Sequence, residues 1–109
     1  MNLSSIPFEK IISGKKIIES RLYDEKRKKI NPGDRIEFTC SNDPKKQVMA
    51  EVQALYRYDN FEHLFSDFPP SYFGGPSKKF LVKEIEGFYS KEEQQKTGVI
   101  GIKIKKSKI

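Results

Sequence analysis

The strongest constraint on the fold is a period-two pattern of side chains along residues 47–58. Apolar or aromatic side chains occupy every second position from Val48 to Tyr56, while Glu51 and Gln53 fall on the other parity. Alternation over this length is typical of a strand with one face against a core. The pattern therefore predicts one long, half-buried β-strand.

A shorter alternating run at residues 35–40 predicts a second half-buried strand, and a turn precedes it. Pro32 presets φ at the second turn position and Gly33 supplies positive φ at the third, as a type II turn requires. The segment Asn42-Asp43-Pro44 is expected to turn the chain again before the long strand. Two further strands are predicted at 16–23 and 99–104, the last of them central in the sheet at its start.

Helical patterns separate these strands. Pro7 suits a first helical turn, and Phe8, Ile11 and Ile12 then share one face until Gly14 ends the helix. An exposed helical turn is expected at 24–29. Two or three helices are predicted between the long strand and the last one. The first runs from Asn60 to Pro69-Pro70, and a second could begin at Ser77, with Leu81, Ile85, Phe88 and Tyr89 on its buried face. A short helix runs from the capping box of Ser90 and Glu93 to Gly98. This order favours an α+β fold, a small mixed β-barrel with short peripheral helices.

The composition bounds the class of protein. A chain of 109 residues is expected to form a single domain, 1–109, and no apolar run approaches the roughly 20 residues that a membrane span needs. One cysteine, Cys40, and one histidine, His63, exclude an internal disulfide and a Cys/His zinc site. Cys40 is expected in the core and His63 at an exposed helix position. We therefore expect a cytoplasmic protein without a metal or another cofactor, and favour a monomer.

The net charge of +6 is unevenly distributed. Residues 10–35 carry nine Lys or Arg against four acids, and residues 102–109 carry four Lys and no acid. Residues 50–70 carry one Arg against four acids. Such asymmetry indicates a basic face of the kind that binds polyanions, although a merely solubilising surface is an alternative of similar weight.

The segment from Gly14 to Arg21 carries the most informative motif, G-x-K-x-x-E-x-R. It is followed by Ile30-x-x-Gly33-Asp34-x-Ile36-x-Phe38 and, near the end, by Tyr89-Ser90 and Gly98-Val99-Ile100-Gly101-Ile102. In this order the chain resembles the ASCH family of PUA-like β-barrels, over a core of about 7–104 with a basic tail at 105–109. The resemblance implies a barrel with a cleft beside the motif and a role with RNA. Some relatives hydrolyse N4-acetylcytidine, and others are reported as ribonucleases.

The motif can build a polar site without reference to the family. Glu19 and Arg21 are two apart on a strand and share a face, while Lys16 has the opposite parity. Lys16 joins them only if the strand bends where it leaves Gly14, and one carboxylate then lies between two cations. Arg21 could clamp a phosphate or carbonyl, with Glu19 orienting it. An ordinary surface ion-pair cluster is the structural alternative.

The chain departs from the amidohydrolase branch of the family at two of three positions. Lys16 matches the lysine of that branch, but the position of its presumed threonine nucleophile holds Glu19. The later loop, Ser71 to Ser77, contains no acid where a glutamate is expected. Glu19 could activate water but cannot replace an alcohol nucleophile. We therefore carry over Lys16 alone from that branch.

Three functions remain open. The first is a module that binds RNA or a modified nucleoside through six predicted contacts: Lys15, Lys16, Glu19, Arg21, Tyr72 and Phe73. The lysines at 103–108 would add phosphate contacts, and Tyr72 and Phe73 would be stacking platforms unless they pack into the core. The second is a hydrolase of RNA or of an acylated nucleoside, with Lys16 and Glu19 as catalytic acid and base. The third is a protein-interaction adaptor that uses the aromatic region 56–73.

Overall fold

The computed structural model describes residues 1–107, and its centre is one five-stranded sheet that curls into a half-barrel. The strand order is β1-β3-β4-β5-β2, and only the β1–β3 pair is parallel. The strands are β1 (Asn2–Leu3), β2 (Ile18–Leu22), β3 (Arg35–Cys40), β4 (Asp43–Tyr58) and β5 (Val99–Lys106). The predicted α+β class is confirmed, and β5 lies between β4 and β2 as expected.

Four short helices and two 3₁₀ turns flank the sheet. The helices are α1 (Ser5–Ile12), α2 (Phe61–Ser66), α3 (Lys78–Glu86) and α4 (Lys91–Thr97), and the 3₁₀ turns are Arg27–Lys29 and Pro70–Phe73. The predicted caps are present: Asn60 accepts from the His63 N–H, Ser77 accepts from the Phe80 N–H, and Ser90 and Glu93 form the capping box. None of the helices in residues 1–107 has the length and apolar character to cross a membrane.

The curl of the sheet comes from a bulge in β4. The first part of β4, up to Glu51, pairs with β3, and the part from Ala50 to Tyr58 pairs with β5, with a register shift between Val52 and Ala54. A bulge bends its strand and increases the local twist, so one long strand serves two parts of the half-barrel. The predicted type II turn before β3 is also present, since Gly33 has φ +92° and the Asp34 N–H donates to Asn31 O at 3.1 Å.

Two apolar clusters cover the two faces of the sheet. On one face, α1 packs Phe8 and Ile11 against residues of β3, β4 and β5, including Phe38 and Ile102. On the other face, α2, α3 and the Pro70–Phe73 turn pack over β2 and β5. Glu19 pairs in register with Ile102 and Arg21 pairs with Ile100. Because paired residues point to the same side of a sheet, Glu19 and Arg21 project from the face that α1 covers.

The structure corrects several predictions of local structure. The turn before the long strand lies at residues 41–42, and Pro44 is already within β4. Phe88 is 73% exposed, because α3 ends at Glu86 and its helical period does not extend to that side chain. β1, which no sequence pattern predicted, pairs with β3. The basic tail predicted at 105–109 is partly strand, since β5 includes residues 105 and 106, while residues 108 and 109 lie outside the described residues.

Candidate functional site

A bend at the end of α1 brings Lys16 to the first main strand. Gly14 has φ +79°, and the Lys16 N–H donates to Lys10 O at 3.0 Å, which wraps the chain around the last helical turn. β2 begins only at Ile18, so Lys16 does not follow the parity of the strand. Its Nζ lies 2.9 Å from Glu19 Oε1. The bend on which the predicted cluster depended is therefore present.

Arg21 holds the second oxygen of the same carboxylate. Its Nε and Nη2 donate to Glu19 Oε2 at 3.2 and 2.9 Å, and Nη2 also donates to Asn2 O at 3.0 Å. Glu19 Oε1 accepts in addition from the Ser20 N–H at 3.1 Å. One carboxylate thus lies between an ammonium and a guanidinium, and we call Lys16, Glu19 and Arg21 the ion-pair cluster.

The ion-pair cluster is largely buried, which fixes its charge. The side chains of Lys16, Glu19 and Arg21 are 13%, 3% and 15% exposed. Burial by itself raises the pKa of Glu19, but the charges and hydrogen bonds of Lys16 and Arg21 outweigh it and lower that pKa to about 2. Glu19 is therefore ionised near neutral pH, and the cluster carries one net positive charge.

A loop after α2 lies directly over Lys16. The Ile17 N–H donates to Tyr72 O at 2.8 Å, and Lys10 Nζ donates to Gly74 O at 2.6 Å. Gly74 has φ +82°, and a Cβ there would lie 3.2 Å from Lys16 Cβ, so a glycine suits both the backbone angle and the close approach. These contacts fix the aromatic loop of residues 70–75 beside the motif.

The two aromatic residues of this loop point in different directions. Tyr72 is 40% exposed, whereas Phe73 is buried and packs edge-on against Phe65 with ring centroids 4.8 Å apart. The predicted stacking role of Phe73 is therefore corrected, because its ring is enclosed in the core beneath α2. Of the two rings, that of Tyr72 is exposed on the surface.

Two surface hollows adjoin the ion-pair cluster. The aromatic hollow, about 490 Å³, is lined by Lys10, Gly14, Lys15, Ile17, Ser71, Tyr72, Gly74 and Gly75. The lysine groove, about 320 Å³, is lined by Ile11, Ile12, Ser13, Gly14, Lys16, Ile17, Gln53, Lys103, Ile104, Lys105 and Lys106. Gly14 and Ile17 line both hollows, so the two hollows meet at the bend.

The hollows bring together most of the predicted ligand contacts. Lys15 and Tyr72 line the aromatic hollow, and Lys16 lines the lysine groove, where three lysines of β5 join it. Arg21 and Glu19 do not line either hollow, and Glu19 contacts Lys16 through its carboxylate. Lys10 and Gln53 were missed by the sequence analysis, because only the turn around α1 and the β4 bulge place them here. Lys108, a predicted phosphate contact, lies outside the described residues.

The arrangement is better suited to holding an anion than to transferring protons. A general base works best with a pKa near the ambient pH, and the pKa of Glu19 is far below it. Within residues 1–107, no three His, Cys, Asp or Glu side chains are grouped closely enough to hold a metal ion. Cys40 is buried and His63 is exposed on α2, the positions that the sequence analysis expected.

Known proteins share both the sequence pattern and the fold. The model of the ASCH domain matches residues 1–108. The crystal structure of the hypothetical protein PH0355 is 32% identical with a TM-score of 0.84, and covers 98% of this chain and 96% of its own. The solution structure of protein PF0455 from Pyrococcus furiosus is 30% identical with a TM-score of 0.75, and covers 100% of this chain and 96% of its own. No curated protein matches the chain. The chain therefore belongs to the ASCH domain family, and its curled five-stranded sheet with short helices is a PUA-like fold.

Proposed function

We propose that this protein binds RNA or a modified nucleoside at the ion-pair cluster and the hollows beside it. The observation that carries the proposal is the pair of adjoining hollows, whose lining within residues 1–107 contains six lysines and no acidic residue. A surface of this kind attracts phosphate groups. Its position beside the motif that defines the family resemblance makes an accidental basic patch a weaker explanation.

Lys16 is the residue through which the buried cluster would meet the ligand. An ammonium group has three N–H donors, and Glu19 takes one of them. Arg21 keeps Glu19 ionised and oriented, so that Glu19 in turn fixes the ammonium at the edge of the lysine groove. In this proposal Lys16 contacts the ligand, and Glu19 and Arg21 are positioning residues.

The alternative of a hydrolase with Lys16 and Glu19 as acid and base has less support. A carboxylate with a pKa of about 2 holds almost no proton near neutral pH and accepts one weakly. The aromatic loop also supplies no acid, since Ser71–Ser77 contains none. The adaptor alternative loses support because Phe61, Phe65 and Phe73 are buried in the core. A cytoplasmic location and a monomeric state accompany the proposal as predictions from the sequence.

An amide NMR titration tests the proposal. We expect a short single-stranded RNA or N4-acetylcytidine to shift the amides of Gly14, Lys16 and Tyr72, and the Lys16→Met variant to bind at least several-fold more weakly. Methionine keeps the apolar stem of the side chain, and Glu19 keeps Arg21 as its partner. The matched control is Lys79→Gln, at an exposed position on α3.

The same titration also shows whether the ligand is changed. Intact N4-acetylcytidine at the end of the titration would agree with binding alone, whereas release of acetate would mean that the protein is an enzyme. If neither ligand shifts these amides, or if Lys16→Met binds like the wild type while its spectrum shows a folded protein, the assignment of the site is wrong.

A further inference from the structure

The lysine groove and the aromatic hollow form one continuous track across the bend at Gly14. Six lysines line the track: Lys10, Lys15, Lys16, Lys103, Lys105 and Lys106. Two of them donate to neutral oxygens, Lys10 Nζ to Gly74 O and Lys106 Nζ to Ile12 O at 3.3 Å. These bonds orient the ammonium groups without neutralising their charge.

Acidic neighbours of the track are few. Glu19 is the carboxylate that forms an ion pair with a track lysine, Lys16. Glu51 is opposite Lys105 in the β4–β5 register, and within residues 1–107 the lining of the aromatic hollow contains no acid. The bend itself and the aromatic hollow therefore keep an uncompensated positive potential, which favours a phosphate backbone there.

Exposed aromatic rings stand at the other end of the track. Tyr72 is 40% exposed and lines the aromatic hollow. Phe80 is 45% exposed, and its Cδ1 would lie 3.5 Å from a Cβ at Gly75, which lines the same hollow. Phe80 therefore stands at the rim. Large aromatic residues usually pack inward, so two exposed rings beside a basic track resemble the stacking platforms of single-strand binders.

We propose that this track binds a single-stranded polynucleotide, with its bases stacked on Tyr72 and Phe80 and its phosphates following the lysine groove. The inference rests on the proposed function and extends it, because it assigns the ligand as a single strand and adds Phe80 as a contact. A duplex is excluded, since its paired bases are stacked on one another and cannot cover the two rings. An acidic peptide would satisfy the lysines but would leave the rings without a partner.

Fluorescence anisotropy with a labelled oligouridine of about eight nucleotides tests the phosphate part of the track. Lys103→Gln/Lys105→Gln removes two charges from the groove, and Lys91→Gln/Lys96→Gln removes two exposed charges from α4. Two lost phosphate contacts should reduce the slope of log affinity against log salt concentration by about 1.4 for a single strand. The α4 variant should keep the wild-type slope, because its two lysines do not line the track, and its net charge equals that of the groove variant. Equal slopes for both would overturn the groove assignment.

Aromatic variants test the stacking part. Tyr72→Ala and Phe80→Ala should each weaken oligouridine binding about five-fold or more, while Tyr72→Phe keeps the ring and should lose less affinity than Tyr72→Ala. The Tyr72 backbone carbonyl that fixes the loop is unchanged in these variants. Wild-type affinity in both alanine variants would refute the platforms, and so would equally tight binding of a blunt RNA duplex. A DNA strand of the same length shows whether the ligand is RNA or DNA. Binding of either strand supports the track if the alanine substitutions weaken it.

Different results would refute the track and the proposed function. N4-acetylcytidine that binds as tightly as oligouridine, with unchanged affinity in the groove variant, would leave the nucleoside site intact and refute the track. Absence of binding by the strand and by the nucleoside would refute both.

Discussion

Replacing Glu19 by Gln tests whether the ion-pair cluster is charged and buried as the structure has it. The pKa of Glu19 lies at about 2 in the fold, against 4.5 as its ordinary value. A folded pKa below the unfolded one contributes stability that is complete above the unfolded value and is lost as the pH falls toward the folded value. The difference corresponds to about 3 kcal/mol in the free energy of unfolding. Glutamine also leaves Lys16 and Arg21 without their anion, a loss of about 3–5 kcal/mol near neutral pH.

Urea denaturation measures the stability loss near neutral pH and its dependence on pH. Far-ultraviolet circular dichroism follows the unfolding, because the chain has no Trp for fluorescence detection. We expect the stability difference between the wild type and Glu19→Gln to be largest near pH 7 and to shrink by about 3 kcal/mol between pH 5 and pH 2. Glu25→Gln is the matched control, because Glu25 is 89% exposed and pairs with Lys28 on the surface. That control should change stability by less than about 0.5 kcal/mol. A Glu19→Gln variant as stable as the control, or a difference independent of pH, would refute the buried ion pairs.

Two further predictions concern packing, and a third concerns the ionisation of Tyr58. Gly101→Ala should cost about 1–3 kcal/mol, because its Cβ would lie 2.9 Å from Leu64 Cδ1; a urea midpoint like that of the wild type would contradict this close approach. Leu64→Ala should cost about 2–5 kcal/mol in the same assay, whereas Phe88→Ala, at an exposed ring, should change stability by about 0.5 kcal/mol or less. The hydrogen bond to Asp67 raises the pKa of Tyr58 to about 12, so Asp67→Asn should make one tyrosine ionise at lower pH in an ultraviolet titration, and identical curves would contradict that bond.

Patterns within single elements were predictable from the sequence, and long-range placements were not. The alternation at residues 35–40 and 47–58 and the caps at Asn60, Ser77 and Ser90 depend on neighbours in the chain, and the structure confirms them. The two-residue β1 is too short to carry a periodic pattern, and its pairing with β3 joins distant parts of the chain.

One part of the candidate site was predictable, because it depended on a local bend of the chain. The sequence predicted that Lys16 joins Glu19 and Arg21 if the chain bends after Gly14, and the bend is present. The sequence did not predict which of Tyr72 and Phe73 points into the core. Adjacent side chains on a 3₁₀ turn are rotated by about a third of a turn, so the two rings point in different directions. Only the position of α2 decides which of the two rings enters the core.

The energetics of the ion-pair cluster argue for a role beyond stability. Taking charged groups out of water costs several kcal/mol per ion, and apolar side chains of similar size often replace a buried ion pair without loss of stability. Glu19 offsets part of this cost with its bonds to Lys16, Arg21 and the Ser20 N–H. The result is an ammonium group held at the edge of the lysine groove, whose lining within residues 1–107 contains no acid, a position that an apolar substitute could not supply. Stability alone does not require a charged group at this edge, whereas the anion-binding site that we propose does.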